Sequence, residues 1–400
     1  MSRHRAMVAG TIALDLCPRF PDEACRRDEL LAEGKTIYIE GIDLTLGGLV
    51  ANTGLAMHRL GCDVVLTSKV GGDPLGEVVS ALLKQTDVPY KLASIPDERT
   101  SATIVTVPKG SDRIFWHQRG ASQKYSFAAL EREVLEQSDL FHFGYPTGMR
   151  CMYADGGENL CALYRGVKEL GLTTSLDLSL PGLTSESGQA DWKGILGRTL
   201  PYVDIFLPSM EETLFLLRKD SYLKILEHAG NGDAIDYISL DILRELGDEV
   251  LELGVKVFGL KLGKKGMYLR TAGAEAFRSF GALKDGITEE WWDREILEPP
   301  FRVTRICSTN GAGDTAIAGF LTGVLEGVCP EQSLHLASGA AACRIESPQG
   351  AEGICGKQSV LERVESGWEK QKIEGLETEY WKWDKNRRAY FSVKDALIRE

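Results

Sequence analysis

The sequence lacks three features that would indicate particular classes of protein. No run of it approaches the roughly 20 apolar residues that a membrane-spanning helix requires. It has nine cysteines but no C-x-x-C pair, so neither a zinc site nor a disulfide framework is indicated. Positive charge is in deficit, because 46 basic and 58 acidic residues give a net charge of −12. A protein that coats nucleic acid or an anionic membrane needs a basic face. We expect a globular protein of a reducing compartment, located in the cytoplasm.

The beginning of the sequence superficially resembles a secretory signal. Residues 1–5 are partly basic and residues 6–14 are mostly apolar, but Asp15 interrupts the apolar stretch and no small-residue cleavage pattern follows. We therefore expect a buried first strand over 7–16. At roughly 150 residues per domain, the chain length fits two to three domains or one large α/β domain with insertions.

Strand-like and helix-like segments alternate along the chain. Short apolar segments predict buried strands, and amphipathic segments followed by glycine predict helices. The predicted strands lie at 62–70, 173–178, 203–207 and 255–262, and the predicted helices at 51–60, 159–170 and 240–253. Asp73 followed by Pro74 predicts the start of a further helix. This alternation is typical of a mostly parallel sheet covered on both faces, whose ligands bind beyond the carboxyl ends of the strands.

Five stretches interrupt the alternation. Segments 36–46 and 90–117 are rich in β-branched and aromatic residues without a helical period, so we expect them to form a small antiparallel second layer. Segments 218–236, 271–300 and 356–400 look like additions to a core. The last of these carries three tryptophans and balanced charge, and we expect it to pack on the rest of the protein.

The most informative stretch is a glycine-rich turn at 308–316, Ser-Thr-Asn-Gly-Ala-Gly-Asp-Thr-Ala, which opens an amphipathic helix. Backbone N–H groups at such a helix start bind anions, and phosphate is the natural guest. Gly311, Gly313 and Ala316 also fit a dinucleotide-binding fingerprint, but Asp314 would repel a pyrophosphate. A carboxylate there suits a base that takes a proton from a hydroxyl attacking phosphorus. The alternative is that Asp314 only caps the helix.

Two blocks resemble the signatures of ribokinase-like (pfkB-type) carbohydrate kinases. They are Gly-Ala-Gly-Asp at 311–314, and Gly47-Gly48-Leu-Val-Ala-Asn52 with Leu60-Gly61 and Val70-Gly71-Gly72-Asp73-Pro-Leu-Gly76. The likeness extends from about Val8 to Gly350. The resemblance implies a Rossmann-like three-layer α/β/α fold with a mostly parallel central sheet and a small β-sheet lid. It implies a kinase domain over 1–355, a lid built from about 18–46 and 90–118, insertions near 218–236 and 271–300, and a C-terminal extension over 356–400.

The resemblance also implies a reaction and a set of site residues. The reaction is ATP-dependent phosphorylation of a hydroxyl of a small sugar or sugar derivative. Asp314 would be the general base, and the amides of Gly311, Ala312 and Gly313 the anion hole. The implied acceptor contacts are Asp15, Gly47, Gly48, Asn52 and, in the lid, Arg113. The implied nucleotide contacts are Lys261, Gly263, Gly266, Glu212 and Asp177. Capping roles for Asp15 and Asn52, and an exposed edge-strand position for Arg113, are the alternatives.

The sequence departs from the family pattern near the nucleotide. Ser308 stands where an aspartate beside a monovalent-cation site is common, which puts potassium activation in doubt. Ser209 replaces the asparagine of an Asn-x-x-Glu element, and Lys261 occupies a position often held by threonine. We expect Mg²⁺ to be held by ATP phosphates and water, so no residue is assigned as a metal ligand. The resemblance also implies a homodimer through the lid, and neither nucleic acid nor a membrane is an expected partner.

Three other functions stay open at this point. One is a kinase for nucleosides or another small alcohol on the same fold, since Phe115, Trp116 and Tyr145 offer aromatic surfaces for a base. Another is a sugar-binding relative without catalysis, suggested by the departures at Ser308 and Ser209 although the glycine turn is retained. The third is a dehydrogenase, suggested by the dinucleotide fingerprint.

Overall fold

The computed structural model describes residues 4–21, 33–107, 114–230, 232–347, 353–374, 376 and 379–397. The strands are β1 (Arg5–Gly10), β2 (Ala13–Arg19), β3 (Gly41–Gly47), β4 (Asp63–Gly71), β5 (Tyr90–Ile95), β6 (Ala102–Thr106), β7 (Ile114–Gln118), β8 (Leu140–Gly144), β9 (Thr173–Asp177), β10 (Ile205–Phe206), β11 (Val257–Lys261), β12 (Met267–Thr271), β13 (Glu295–Glu298), β14 (Trp381–Asp384) and β15 (Ala389–Ser392). The helices are α1 (Gly48–Arg59), α2 (Pro74–Lys84), α3 (Arg132–Glu136), α4 (Arg150–Tyr153), α5 (Glu158–Glu169), α6 (Trp192–Thr199), α7 (Met210–Leu217), α8 (Lys219–Ala229), α9 (Ile242–Glu252), α10 (Ala274–Phe277), α11 (Ala312–Glu326), α12 (Pro330–Glu346) and α13 (Lys357–Glu365). No described helix combines the length and the apolar composition needed to cross a lipid bilayer.

Within the described residues, the large sheet has the strand order β14-β15-β13-β12-β11-β10-β9-β8-β1-β4-β5. From β5 to β11 every neighbouring pair is parallel. Beyond β11 the strands β12, β13, β15 and β14 continue the sheet with antiparallel pairing. The carboxyl ends of the parallel strands therefore meet along one edge of the sheet, where α/β proteins bind their ligands.

Helices cover both faces of the large sheet, because successive residues of a strand point to opposite sides. Along β1, Ala6 and Val8 belong to one apolar core, and Met7 and Ala9 belong to the other. The first core includes residues of α1, α2, α11 and α12, and the second includes residues of α5, α6, α7 and α9. The predicted three-layer α/β class, with a mostly parallel central sheet and a small second sheet, is confirmed.

A carboxylate predicted as a helix cap also ties the two sheets together. Asp73 caps α2 by accepting a hydrogen bond from the Gly76 amide at 3.0 Å. Its second oxygen accepts from the Thr100 amide at 3.1 Å. Thr100 lies two residues before β6, so the carboxylate at the start of α2 also fixes the chain where it enters the small sheet.

The small sheet has the strand order β3-β2-β6-β7, and its make-up corrects three expectations. The single strand predicted over 7–16 is wrong, because the chain leaves the large sheet after Gly10 and enters the small sheet at Ala13. The lid segment predicted over 90–118 starts too early, because β5 pairs with β4 in the large sheet. β5 is an edge strand with one exposed face, so its residue pattern matches that of a lid strand. The pairing of β2 with β6 is parallel, not antiparallel as predicted.

The segment 356–400 joins the large sheet through β15, which pairs with β13. β13 itself lies in the predicted addition at 271–300, and α8 fills most of the one at 218–236. The three segments therefore pack in the same body as the parallel strands. That they are additions to a smaller kinase domain ending near residue 355 stays a prediction.

A buried ion-pair network holds the C-terminal segment against the large sheet. Arg294 has an exposed fraction of 0% and donates to Asp395 Oδ1 at 3.0 Å and to Glu331 Oε1 at 2.6 Å. Asp395 also accepts a hydrogen bond from the Glu295 amide at 2.8 Å. Because a buried charge is tolerated only when it is paired, this network links three distant parts of the chain.

Replacement of Asp395 by alanine tests this link. Asp395→Ala removes a carboxylate partner from the buried Arg294, and we expect the free energy of unfolding to fall by about 3 kcal/mol in denaturant titration. The exposed neighbour Lys394 provides the control, and Lys394→Ala should change that free energy by less than about 0.5 kcal/mol. Equal stability of the two variants would contradict a structural role for the network.

Candidate active site

A cleft of about 1010 Å³ opens between the carboxyl edge of the large sheet and the small sheet. It brings together most of the residues singled out from the sequence. Its lining includes Asp15, Gly48, Asn52, Asp177, Glu212, Lys261, Gly263, Gly311, Gly313 and Asp314. Gly47 and Ala312 are chain neighbours of lining residues and do not line the cleft themselves. Arg113 lies outside the described residues.

Asp314 lies in the first turn of α11, and both oxygens of its carboxylate are held by other elements. Its Oδ1 accepts from the Tyr145 hydroxyl at 2.6 Å, and its Oδ2 accepts from the Asn52 side-chain amide at 2.9 Å. The residue is only 6% exposed. Burial, reinforced by the charge of Asp314, raises the pKa of the Tyr145 hydroxyl, which therefore stays protonated and donates. The carboxylate is thus fixed in one orientation at the helix start.

The N-terminus of α11 offers backbone donors to the cleft. Gly311 is the residue before the helix and has a left-handed backbone with φ of 72°, which favours glycine. Gly311 has no side chain that could cap this helix end, and the Ala312 amide donates to the Thr309 carbonyl oxygen at 3.3 Å. The first amides of a helix have no partner within it, and Gly311 and Gly313 line the cleft. This arrangement suits an anion at the helix N-terminus.

The adjacent glycines Gly47 and Gly48 make room for the carboxylate of Asp15. A Cβ on Gly47 would lie 2.3 Å from Asp15 Oδ2, so any other residue would collide with the carboxylate. Gly48 has φ of 81°, and a Cβ there would lie 2.5 Å from the Thr11 carbonyl oxygen. The glycine pair is therefore required both by the close approach of Asp15 and by the turn that starts α1.

Asp15 belongs to a polar row that crosses the small sheet. The strand register places Thr45, Asp15, Thr103 and His117 side by side, and the last three line the cleft. Thr103 Oγ1 lies 3.0 Å from His117 Nδ1. Burial raises the pKa of Asp15 to about 6, with a hydrogen bond from Thr103 opposing the shift. The inner face of the small sheet thus presents polar groups to the cleft.

The opposite side of the cleft contains a buried ion pair between two strand ends. Lys261 ends β11 and Asp177 ends β9, and Lys261 Nζ lies 2.6 Å from Asp177 Oδ1. Burial raises the pKa of the Asp177 carboxyl, whereas the Lys261 charge opposes that shift. Burial alone would lower the pKa of Lys261, but Asp177, Glu212 and Asp314 raise it overall. The ammonium therefore stays charged among carboxylates.

Glu212 is fixed at the start of α7 by a reciprocal cap. The Ser209 amide donates to Glu212 Oε2 at 2.7 Å, and the Glu212 amide donates to Ser209 Oγ at 3.2 Å. Serine at position 209 therefore retains the helix-capping function. Gly263 lines the cleft, but Gly266 does not. Gly266 packs instead against Glu298, where an added Cβ would lie 2.0 Å from the Glu298 carbonyl oxygen.

Comparison with known proteins identifies the family. The pfkB family carbohydrate kinase profile matches residues 19–354. The chain belongs to the pfkB family of carbohydrate kinases. It is 24% identical over 300 residues to an uncharacterized sugar kinase of Archaeoglobus fulgidus, with 75% of this chain and 98% of the relative covered. The predicted enzyme class, a carbohydrate kinase, is confirmed.

Solved structures share the fold of this pfkB-family kinase. Arabidopsis thaliana ribokinase complexed with ribose and ATP superposes with a TM-score of 0.66 and 19% identity, covering 90% of this chain and 98% of the ribokinase. An E. coli putative ribokinase II in complex with ATP and Mg²⁺ gives a TM-score of 0.63 and 17% identity, covering 91% and 99%. These similarities confirm the ribokinase-like fold predicted from the sequence.

The donor set fits a magnesium ion that arrives with phosphates better than a preformed metal centre. Among the described residues, no group of three or more His, Cys, Asp or Glu side chains is placed to hold a metal ion. Asp177 Oδ2 is buried and, within the described part of the chain, has no hydrogen-bond partner. Hard cations prefer such carboxylate oxygens together with phosphate and water.

Sequence reasoning missed three contacts in the site of this pfkB-family kinase. Tyr145 was considered only as an aromatic surface, although it directly follows the end of β8, where cleft residues are expected. His117, for which the sequence indicated no role in the site, lines the cleft in register with Asp15. The pairing of Lys261 with Asp177 joins residues 84 positions apart, and the only signal for it was that each ends a predicted strand.

The raised pKa of Asp15 predicts a pH-dependent stability. The folded protein keeps the Asp15 proton up to about pH 6, whereas the unfolded chain releases it near 3.8. The contribution of Asp15 to stability therefore falls as the pH rises between these values and stays lower above them. Asp15→Asn cannot ionise, so we expect its Tm to exceed that of the wild type near pH 7 and the difference to vanish near pH 4.

Thermal unfolding at both pH values measures this effect. The exposed Asp285 provides a control, because Asp285→Asn should change Tm equally at the two pH values. A Tm gain for Asp15→Asn that is the same near pH 4 and near pH 7 would show that ionised Asp15 does not strain the fold.

Proposed function

We propose that this carbohydrate kinase transfers the γ-phosphoryl group of ATP to a hydroxyl of a small neutral sugar, with Asp314 as general base. The observation that carries the proposal is the fixed carboxylate of Asp314 in the first turn of α11, whose preceding residue is Gly311. The base and the backbone amides that would donate hydrogen bonds to the phosphoryl group then lie in one helix turn. Phosphoryl transfer depends on this kind of positioning and charge stabilisation more than on covalent chemistry.

The proposed step needs one proton acceptor and one anion site. Asp314 takes the proton of the acceptor hydroxyl while that oxygen bonds to the γ-phosphorus. The bond from the γ-phosphorus to the bridging oxygen breaks, and ADP leaves. The amides of Gly311, Ala312 and Gly313 donate hydrogen bonds to the transferred group. Asn52 and Tyr145 keep the carboxylate aimed, and Gly263 borders the nucleotide, with Gly266 supporting its turn.

Asp177 and Glu212 would hold Mg²⁺, directly or through water, at the nucleotide phosphates. The metal would supply neutralisation of the triphosphate charge when bound. The complex of the E. coli structural neighbour with ATP and Mg²⁺ supports this part of the proposal. Ser308 in place of an aspartate supports turnover without a monovalent cation. A cytoplasmic location likewise stays a prediction.

The acceptor side of the cleft favours a neutral sugar. The polar residues of its described lining include Asp15, Asn52, Ser101, Thr103 and Gln123. The lysines of the described lining, Lys261 and Lys264, lie instead at the end of β11 and just after it. Among the described lining residues on this side, a carboxylate or phosphate on the acceptor would therefore meet Asp15 and no lysine or arginine. Vicinal hydroxyls, by contrast, would find hydrogen-bond partners in Asp15 and Asn52.

The aromatic residues give little support to a nucleoside acceptor. Trp116 pairs with Ile104 in the strand register, one position away from the polar row that faces the cleft. Its side chain therefore lies on the outer face of the small sheet. Tyr145 uses its hydroxyl to hold Asp314. Phe115 and Tyr145 both line the cleft, and of these two only Phe115 is not engaged with Asp314.

We further propose that the small sheet pairs with that of a second copy. Its outer face carries the cross-strand row Leu44, Leu16, Ile104 and Trp116. Leu44, Ile104 and Trp116 are 41%, 43% and 45% exposed. A contiguous apolar row on an exposed sheet favours an interface, and a self-complementary contact closes as a symmetric dimer. This supports the homodimer implied by the family resemblance.

A kinase assay over neutral sugars, sugar acids, sugar phosphates and nucleosides tests the proposed function. With MgATP, we expect kcat/KM for the best neutral sugar to exceed that for anionic acceptors by at least about tenfold. Asp314→Asn removes the proton acceptor and should lower kcat by about 10²–10⁴-fold, while ATP affinity stays within about threefold.

The exposed Asp285 supplies a matched control for the loss of a carboxylate, and Asp285→Asn should keep wild-type kcat. Full turnover by Asp314→Asn would overturn the role of Asp314 as base. A preference for a sugar acid or a sugar phosphate would overturn the assignment of a neutral acceptor.

Sedimentation at micromolar concentration tests the dimer. Trp116→Glu places a charge in the apolar row, and we expect it to convert a wild-type dimer to a monomer. Trp383, on β14 at the far edge of the large sheet, is also 45% exposed, so Trp383→Glu is the matched control and should stay dimeric. A monomeric wild type, or a dimeric Trp116→Glu variant, would contradict the proposed interface.

A further inference from the structure

Lys261 lies against the helix turn that is proposed to bind the transferred phosphoryl group. Its Cδ and Cε lie 3.6 Å and 3.9 Å from the position that a Cβ on Gly313 would occupy. Its ammonium lies 2.6 Å from Asp177 Oδ1, and the side chain is 14% exposed. The stem of the lysine therefore runs along the first turn of α11, and its charge reaches the cleft between that turn and the end of β9.

The environment of the Lys261 ammonium differs from that of Lys264, the other lysine in the described lining of the cleft. Lys264 Nζ lies 2.6 Å from Asp236 Oδ1, and both side chains are about half exposed, so solvent screens that pair. Lys261 lies beside Asp177 with its side chain only 14% exposed, and Glu212 and Asp314 line the same cleft. An ammonium has three donors, and the bond to Asp177 uses one of them.

We propose that the Lys261 ammonium contacts the phosphoryl group during transfer and acts with the amides of Gly311–Gly313 as a catalytic group. This inference rests on the proposed function. Lys261 donates hydrogen bonds to non-bridging phosphoryl oxygens and keeps its own proton, since the proton of the acceptor hydroxyl goes to Asp314. Asp177 positions the ammonium before the nucleotide binds. A cation held at the charge that develops in transfer lowers the barrier without reorganisation.

A purely structural ion pair is the competing explanation, and the chain contains one for comparison. Lys168 Nζ and Asp204 Oδ2 form a pair in which Asp204 is fully buried and also accepts from the Thr174 amide at 2.9 Å. Asp204 directly precedes β10, at the amino end of that strand, and neither partner lines the cleft. The Lys261 pair lies at the carboxyl ends of its strands and lines the cleft. Its position is that of a ligand contact.

Lys261→Met tests the proposal by separating transition-state binding from ground-state binding. We expect kcat to fall by about 10²–10³-fold while the affinity for a non-hydrolysable ATP analogue stays within about threefold. The affinity for MgADP with fluoroaluminate, which mimics the phosphoryl group in transfer, should fall by about the same factor as kcat. Lys168→Met removes the comparison pair and should lower stability without changing kcat or fluoroaluminate affinity.

A double variant guards against an effect of leaving Asp177 unpaired. Lys261→Met combined with Asp177→Asn removes both buried charges, which is less disruptive to the fold than removing one. We expect the double variant to bind MgADP with fluoroaluminate more weakly than Asp177→Asn alone, because both lack the carboxylate and only the double variant lacks the ammonium. Equal affinities would show that Lys261 only neutralises Asp177 and would overturn the proposal.

Fluoroaluminate binding also distinguishes this proposal from failure of the proposed function. If the wild type phosphorylates no sugar, the assignment of a sugar acceptor fails, but binding of MgADP with fluoroaluminate is still measurable without an acceptor. Equal affinity of wild type and Lys261→Met would then overturn the role of Lys261. A selective loss in Lys261→Met would support it whatever the acceptor is.

Discussion

The site depends on how the charges of three neighbouring carboxylates in one cleft are compensated. Asp177, Glu212 and Asp314 share a cleft in which a polyphosphate must also bind under the proposed function. Like charges in a poorly solvated site repel strongly, so each carboxylate needs its own compensation. Lys261 pairs with Asp177, the Ser209 cap holds Glu212, and side-chain donors hold Asp314. What remains for the phosphates is the backbone of α11 and the unused donors of Lys261.

The parallel sheet explains why these groups meet. The carboxyl ends of β9 and β11 supply Asp177 and Lys261, and the helices α7 and α11 start at the same edge with Glu212 and Asp314. The remaining component, Asp15, stands on β2 and reaches the same cleft because the chain passes from β1 into the small sheet within a few residues. A rigid sheet edge thus positions one half of the site, and a separate small sheet positions the other half.

Local sequence patterns predicted the residues whose type is set by backbone conformation. They could not predict contacts between residues that are far apart in the sequence. The turn containing Gly311 and the Asp73 cap are visible in sequence because glycine and short polar residues are required there by local geometry. The bond from Tyr145 to Asp314 spans 169 positions and has no local signature. The β5 strand was assigned to the wrong sheet because an edge strand with one exposed face shows the same residue alternation in either sheet.

The net charge of −12 and the binding of a polyanion are compatible because they act over different distances. Surface charge is screened within about 8 Å at physiological salt, whereas helix-end amides and a buried ammonium act at contact distance. The positive features of the described cleft are concentrated near α11 and β11, and Asp15 stands on the acceptor side. One charge distribution would then attract the phosphates of the nucleotide and disfavour an anionic acceptor. Discrimination between the two substrates would follow from where the few positive groups lie, not from how many there are.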